Sequence, residues 1–261
     1  MAATPGALRV MTWHATAFKR LWRLNVLSSF VQPMLYLLGL GVGVGSLVDR
    51  NTGSTATLGG MSYVAYVAPG LLATTAMAVC AAESMWPVMG GLMWNRGYHA
   101  ITATPLDARD IVLGHATWMA VRAGVAGGAV AVALALFAST RSWGLIPTVG
   151  VAMLIGVAFA MPIMAVAVKQ TLDGGFAAMQ RFVIIPLFLF GGAFYPLSQL
   201  PAVVQWVAKV APLWHGVVVA RGFTSGRVDA IATVGHLAYV AAWGVAGGVV
   251  ATRRLRRRLY P

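Results

Sequence analysis

Long apolar runs separated by short polar breaks set the pattern of this chain. Val26–Val48, Ser62–Met89, Gly114–Ala138, Leu145–Val168 and Ile231–Val250 are each almost free of charge. Crossing a hydrocarbon core takes about 20 apolar residues in a helix, and every one of these runs reaches that length. A sixth run, Phe182–Tyr195, is shorter and reaches spanning length if it begins near Phe176. In hydrocarbon a backbone must satisfy its own hydrogen bonds, which leaves the helix as the element for such runs. The pattern predicts an all-α polytopic membrane protein with six transmembrane helices, at about 26–48, 62–89, 114–138, 145–168, 176–195 and 231–250. These form a single transmembrane domain over 1–261.

The breaks carry their own information. Residues 1–24 mix Trp13, Phe18, Leu21, Trp22 and Leu24 with Arg9, Lys19, Arg20 and Arg23. That composition predicts an amphipathic helix lying in the membrane interface. The apolar run after it is about twice the length of a signal-peptide core and ends without an A-x-A site, so a retained first span is expected. Gln32 and Pro33 place a kink in that span, and Gly39, Gly41, Gly43 and Gly45, like Gly127 and Gly128 further on, predict close helix approach. Residues 90–115, GGLMWNRGYHAITATPLDARDIVLGH, form a polar and amphipathic stretch between the second and third spans. We read it as a cytoplasmic elbow helix that receives force from a separate motor protein. In it, Asp107 and Asp110 are expected at a helix amino terminus and on a solvated side. Lys169–Arg181 is read as a polar loop. Residues 196–229, broken by Pro196, Pro201, Pro212 and Gly222, hold two apolar pieces, Ala202–Val210 and Leu213–Ala220, each too short to span. They are expected as a re-entrant pair; one more crossing would place the arginine-rich tail outside.

Composition agrees with the pattern. The 261 residues are 59% hydrophobic and only 10% charged, with mean hydropathy +0.78, whereas a soluble domain carries about 25% charged residues. The formal charge of +13 does not point to nucleic acid, because the basic residues sit at the ends of apolar runs and in the tail TRRLRRRLYP. With both termini cytoplasmic, the basic residues of the amino-terminal segment, elbow, 169–181 loop and tail outnumber those left outside, Arg50, Arg141, Lys209, Arg221 and Arg227. This is the positive-inside arrangement, and it predicts a multi-pass membrane protein with both termini cytoplasmic. The lone cysteine, Cys80, excludes an internal disulfide and reads as a small buried residue.

Candidate chemistry is sparse. None of Lys19, Lys169 or Lys209 is followed by Ser or Thr, so no phosphate loop of the G-x-x-x-x-G-K-[ST] kind exists. His14, His99, His115, His215 and His236 are scattered without metal-ligand spacing and read as interfacial or packing residues. G-x-S-x-G is absent. No cofactor or metal is expected on this chain, and an enzyme active site is disfavoured. Glu83, an ionisable residue inside the second span, is a functional candidate by its position. The alternative is that Glu83 pairs across the bundle with Arg122 of the third span or reaches the interface, and sequence leaves both readings open.

Two stretches then carry a resemblance. RGYHAITATPLDARDIVLG, from Arg96 to Gly114, with Ala103, Thr104, Pro105 and Leu106 at its core, resembles the segment after the second span of ABC-2 type exporter permeases. FGGAFYPLSQLPAVVQWVAKVAPLWHGVVVARGFTSG, residues 190–226, is similar to that family's Pro-rich segment between the fifth and sixth spans, with Tyr195, Pro196, Pro201, Pro212, His215 and Arg221. The likeness is to the nodulation lipo-oligosaccharide and daunorubicin-type branch in particular. It implies two permease subunits, identical or paired with a sister, on two cytoplasmic ATPase subunits that hold the ATP and magnesium. It also implies a bacterial inner or plasma membrane, and that the elbow is a coupling helix. Arg96, Tyr98, His99, Thr102, Thr104, Pro105 and Leu106 are its expected coupling residues, and re-entrant helices line the outer export path. Pro105 would hold Thr104 extended and so separate the elbow helix from the return to the third span. Where the family has an acidic residue after the Gly at the start of the third span, this chain has His115 after Gly114, which removes a charge contact with the partner there. The expected function is outward movement of a lipid, lipid-linked glycan or hydrophobic drug. The alternatives are an ion-coupled secondary transporter with Glu83 as proton carrier, and a non-transporting assembly subunit.

Overall fold

The computed structural model describes residues 6–19, 22–50, 58–172 and 174–260. Parts of the expected interfacial helix and of the 49–61 loop, and the side chains of Gln32 and Thr102, lie outside the described residues. Every regular element among the described residues is a helix, and no strand occurs among them. In chain order the helices are α1 (Gly6–Lys19), α2 (Trp22–Leu38), α3 (Gly45–Val48), α4 (Tyr63–Met93), α5 (Gly97–Thr102), α6 (Ala108–Ala135) and α7 (Leu145–Ala167). They continue as α8 (Gly174–Met179), α9 (Ile185–Phe190), α10 (Ala202–Val210), α11 (Pro212–Ser225) and α12 (Ala230–Leu259).

Four of these, α4, α6, α7 and α12, are long and apolar enough to cross a membrane, and the bent pair α10–α11 would make a fifth. The expected first span is a helix drawn out by a π-helical turn, Gly39–Val44, between α2 and α3. Pro33 lies inside α2 without ending it. The expected fifth span is α8 and α9 joined by a second π turn, Gln180–Ile184, and it stops at Phe190 rather than at Tyr195. Arg181 is therefore helical, and the expected 169–181 loop shrinks to its first few residues.

Capping moves two boundaries. Asp107 starts α6 six residues earlier than the apolar run suggests: its carboxylate accepts from Ala108 N at 2.6 Å, while Asp110 accepts from Asp107 N at 3.1 Å. At the other end of the chain, the arginine-rich tail is no separate tail but the last turns of α12. Arg254 donates to the Ala165 carbonyl at 2.8 Å, and Arg258 to the carbonyls of Val168 and Gln170. These close off orphan carbonyls at the end of α7, where the helix dipole also favours positive charge.

At the centre stands α7, packed against α4, α6, α11 and α12. Close contact is set by single glycines. A Cβ on Gly156 would sit 2.5 Å from Ala123 Cβ and 2.8 Å from Cys80 Sγ, and one on Gly216 would clash with Ile155 Cδ1. Of the glycines expected to do this, Gly127 does, 3.0 Å from Ala152 Cβ, but Gly39, Gly43 and Gly128 face open space. Cys80 is buried, as expected, and donates to the Met119 carbonyl at 3.4 Å. One end of the bundle gathers the end of α4, α5, the start of α6, the ends of α7 and α12, and α1, whose Val10 packs over Gly114.

Candidate functional site

Between α4 and α6 the chain makes a compact elbow. Trp94 and Asn95 cap α4 by donating to the Gly90 carbonyl, and Asn95 Oδ1 accepts from Gly97 N at 3.0 Å. Arg96 sits between them in the left-handed region, φ 48°, and from there one six-residue helix, α5, follows. So short a helix is not stable alone; Tyr98 holds it. Tyr98 is 1% exposed, its ring fills the space that a Cβ on Gly91 would need, and Trp13 of α1 meets it edge-on at 5.9 Å. Burial pushes its phenol up from the ordinary value.

The expected coupling residues divide around this anchor. Arg96, His99, Thr104 and Pro105 are exposed, and Leu106 is half-buried against the core. Thr104 Oγ1 donates to the Ile101 carbonyl at 2.6 Å, closing the turn after α5. Asp110, expected on a solvated side, is half-buried and abuts Gly6 of α1. His115 faces inward, 1% exposed, so the missing charge there concerns the interior of the bundle rather than a surface.

A second group of polar side chains lies deeper. Arg122 of α6 reaches Glu83 of α4 through Nε and Nη2, each 2.5 Å from Oε1. The guanidinium also lies 4.5 Å from the centre of the Phe18 ring. This settles the geometry left open by sequence: the two ionisable residues are partners. Beside them His115 Nε2 and Ser84 Oγ are 3.0 Å apart, and His14 of α1 lies 5.3 Å from His115 ring to ring. Burial lowers the His14 imidazole to about 4, so it packs as a neutral ring. Sequence spacing could not reveal this group, because its members come from α1, α4 and α6 and meet only when those helices are rotated against one another.

The third group lies at the opposite end. After α9 the chain leaves helical geometry at Gly191–Tyr195, with Gly192 at φ 79°. Arg221 of α11 supports this stretch: Nη2 donates to Gly192 O at 3.0 Å and to Ala193 O at 3.4 Å, and Nε to Tyr66 O at 3.3 Å. Its guanidinium stacks 3.7 Å from the centre of the Tyr66 ring. A stretch without helical hydrogen bonds needs other partners for its carbonyls, and Arg221 supplies them here. Pro201 precedes α10 and Pro212 opens α11, which is bent 83° from α10. Pro196 precedes the short 3-10 turn Leu197–Gln199, and Tyr195 is half-buried beside it. His215 Nε2 donates to Lys209 O at 2.8 Å, and its Nδ1 lies 2.7 Å from His236 Nδ1. Four of the five histidines thus form two pairs rather than lying scattered, yet no three metal-ligating side chains come together among the described residues. Arg221→Leu is expected to leave the Gly192 and Ala193 carbonyls unsatisfied, at about 2 kcal/mol of stability. Thermal unfolding in detergent checks this, and unchanged unfolding would count against the role.

Comparison with known proteins identifies the family. Residues 7–223 match the family described as ABC-2 type transporter. The chain is 32% identical over 246 residues to nodulation protein J of Rhizobium meliloti (strain 1021), covering 94% of this chain and 90% of that protein. It is 34% identical to nodulation protein J of Rhizobium leguminosarum bv. trifolii, over 93% of this chain and 90% of the relative. It is 24% identical to the inner membrane transport permease YadH of Escherichia coli (strain K12), over 80% of this chain and 77% of the relative. No solved structure matches it.

Proposed function

Since this chain belongs to the ABC-2 type transporter family and is a multi-pass membrane permease, we propose that it moves a lipid, lipid-linked glycan or hydrophobic drug outward. The energy comes from ATP hydrolysed, with magnesium, on a separate nucleotide-binding subunit. Two such permeases, identical or sister chains, pair with two ATPase subunits. The elbow end faces the cytoplasm, which is supported by the basic residues gathered there. The non-helical stretch and the α10–α11 bend line the outer part of the route as re-entrant elements.

The observation that carries the reading is the elbow. It is a short helix clamped to the bundle by one buried ring, with an exposed polar rim of Arg96, His99 and Thr104. A lever needs both parts, a contact face and a rigid attachment. An apolar groove of about 600 Å³ between α7, α9, α10 and α12, lined by residues such as Phe159, Phe182, Val207 and Trp243, suits the greasy part of a cargo. The relatives named for nodulation, and the likeness to the lipo-oligosaccharide branch, favour an amphiphile within that class. Proton carriage by Glu83 is disfavoured, because a neutral Glu83 would leave Arg122 as an uncompensated buried cation.

The test is co-purification in detergent with a tagged candidate ATPase, followed by reconstitution and paired assays of hydrolysis and export. Arg96→Gly removes the guanidinium while suiting the positive φ. It is expected to leave the complex intact and to lower cargo moved per ATP about tenfold, a loss of ~1.4 kcal/mol of coupling. Wild-type export without any ATPase, or full coupling in the variant, would overturn the proposal.

A further inference from the structure

On the other side of α12 from that apolar groove lies a second one of about 610 Å³, between α6, α7 and α12. Its walls are apolar along most of their length, with Leu113, Val157, Met161 and Val245 among them. Small residues on α12, Gly244 and Gly248, keep it open: a Cβ on Gly248 would meet nothing nearer than Met161 Sδ at 3.8 Å. Along α12 the lining runs from Val240 to Arg253. At ~1.5 Å per residue that is about 20 Å, slightly more than one leaflet of a ~30 Å hydrocarbon core.

The elbow end of the groove differs from the rest. Two arginines from different helices, Arg109 of α6 and Arg253 of α12, stand there beside Thr252. Both are exposed, and neither makes a hydrogen bond or ion pair among the described residues. Their neighbours behave otherwise: Arg254 and Arg258 are spent on the end of α7. The nearby carboxylates are also occupied, with Asp107 capping α6 and Asp110 turned to the cap and Gly6. A one-leaflet apolar channel that ends in two unused guanidinium groups complements an amphiphile with hydrocarbon chains and a phosphate. An acidic protein surface would match the arginines and leave the channel unfilled; a zwitterionic lipid would fill the channel and match the charge poorly.

We propose that this groove is a specific site for an anionic diacyl phospholipid of the elbow-side leaflet. The phosphate lies between Arg109 and Arg253, and an acyl chain runs along Gly248 and Gly244. The site is separate from the cargo route. It joins the start of α6, immediately after the elbow, to the last helix, so its occupancy ties two ends of the bundle together.

The test uses the full chain, delipidated in detergent and returned to phosphatidylcholine nanodiscs carrying a minor fraction of phosphatidylglycerol. Retained lipid is then counted by native mass spectrometry. Wild type is expected to retain phosphatidylglycerol in preference to phosphatidylcholine. R109Q/R253Q is expected to lose about thirtyfold of that retention, two cations each acting at juxtamembrane strength. R256Q/R257Q removes the same charge from exposed positions on α12 and should lose far less, because neither side chain lines the groove. Gly248→Leu, which fills the channel and leaves both arginines, should also release the lipid. Equal losses in the two double variants, no preference between the lipids, or unchanged retention in G248L would each overturn the proposal. So would a disulfide-linked dimer through a Val245→Cys variant that carries no lipid, since a second copy would then occupy the groove. No ATPase or cargo enters this measurement, so its failure is separable from failure of the transport proposal.

Discussion

Tyr98→Ala is expected to disconnect the elbow from the bundle while the spans stay folded. The ring is fully buried, and removing an aromatic side chain from such a site costs about 3–5 kcal/mol. Most of that loss falls on α5, because the six-residue helix has little else to hold it and its own propensity is far too small. In the reconstituted complex, export per ATP should drop at least tenfold, about 1.4 kcal/mol of coupling or more. Trypsin should cut faster after Arg96. Tyr98→Phe keeps the ring over Gly91 and against Trp13 and should behave nearly as wild type. If Tyr98→Ala exported normally, the elbow would not need its anchor, and the lever reading would fail with it.

Glu83→Ala should be the most destabilising change inside the bundle. Arg122 is 2% exposed, and Glu83 gives it its only ion pair among the described residues. Breaking a buried pair from one side strands a charge at about 3–5 kcal/mol. Removing both charges together, as Glu83→Ala with Arg122→Met, should restore a good part of that loss, since no charge is left unpaired. The comparison is a double-mutant cycle on thermal unfolding in detergent. Additive losses would show that the two side chains act independently, contrary to their 2.5 Å contact. A proton carrier would behave differently: Glu83→Gln would leave stability unchanged and abolish a proton flux.

The parts of this molecule that sequence reveals are those set by one-dimensional quantities. Apolar run length located the long helices α4, α6, α7 and α12, because the backbone in hydrocarbon has no other partner than itself. Prolines and a glycine marked the broken segment before α12. Boundaries were displaced where a side chain overrode the apolar pattern: Asp107 and Asp110 begin α6 among polar residues, and arginines continue α12 where hydropathy ends. The glycines of 39–45 show the same limit from another side. Their spacing suits close packing, but the backbone uses that stretch for a π turn, and a Cβ added at Gly39 or Gly43 would meet nothing among the described residues. Rotation about the helix axis was the quantity that sequence withheld. Glu83 with Arg122, His14 with His115, and His215 with His236 each pair residues from different helices. A one-residue change in facing, about 100°, would separate any of them.

The last turns of α12 also bear on how such a protein is handled. A run of basic residues at a carboxyl end invites trimming, as a dispensable tail whose charge merely reports which side it occupies. Here Leu255 and Leu259 are buried between the arginines, and Arg254 and Arg258 serve the end of another helix. The basic run that the positive-inside pattern counts and the clasp that finishes the packing are thus the same residues. Truncating the chain after Val250 would remove both at once, whereas an affinity label placed beyond Tyr260, which is exposed, would leave both intact.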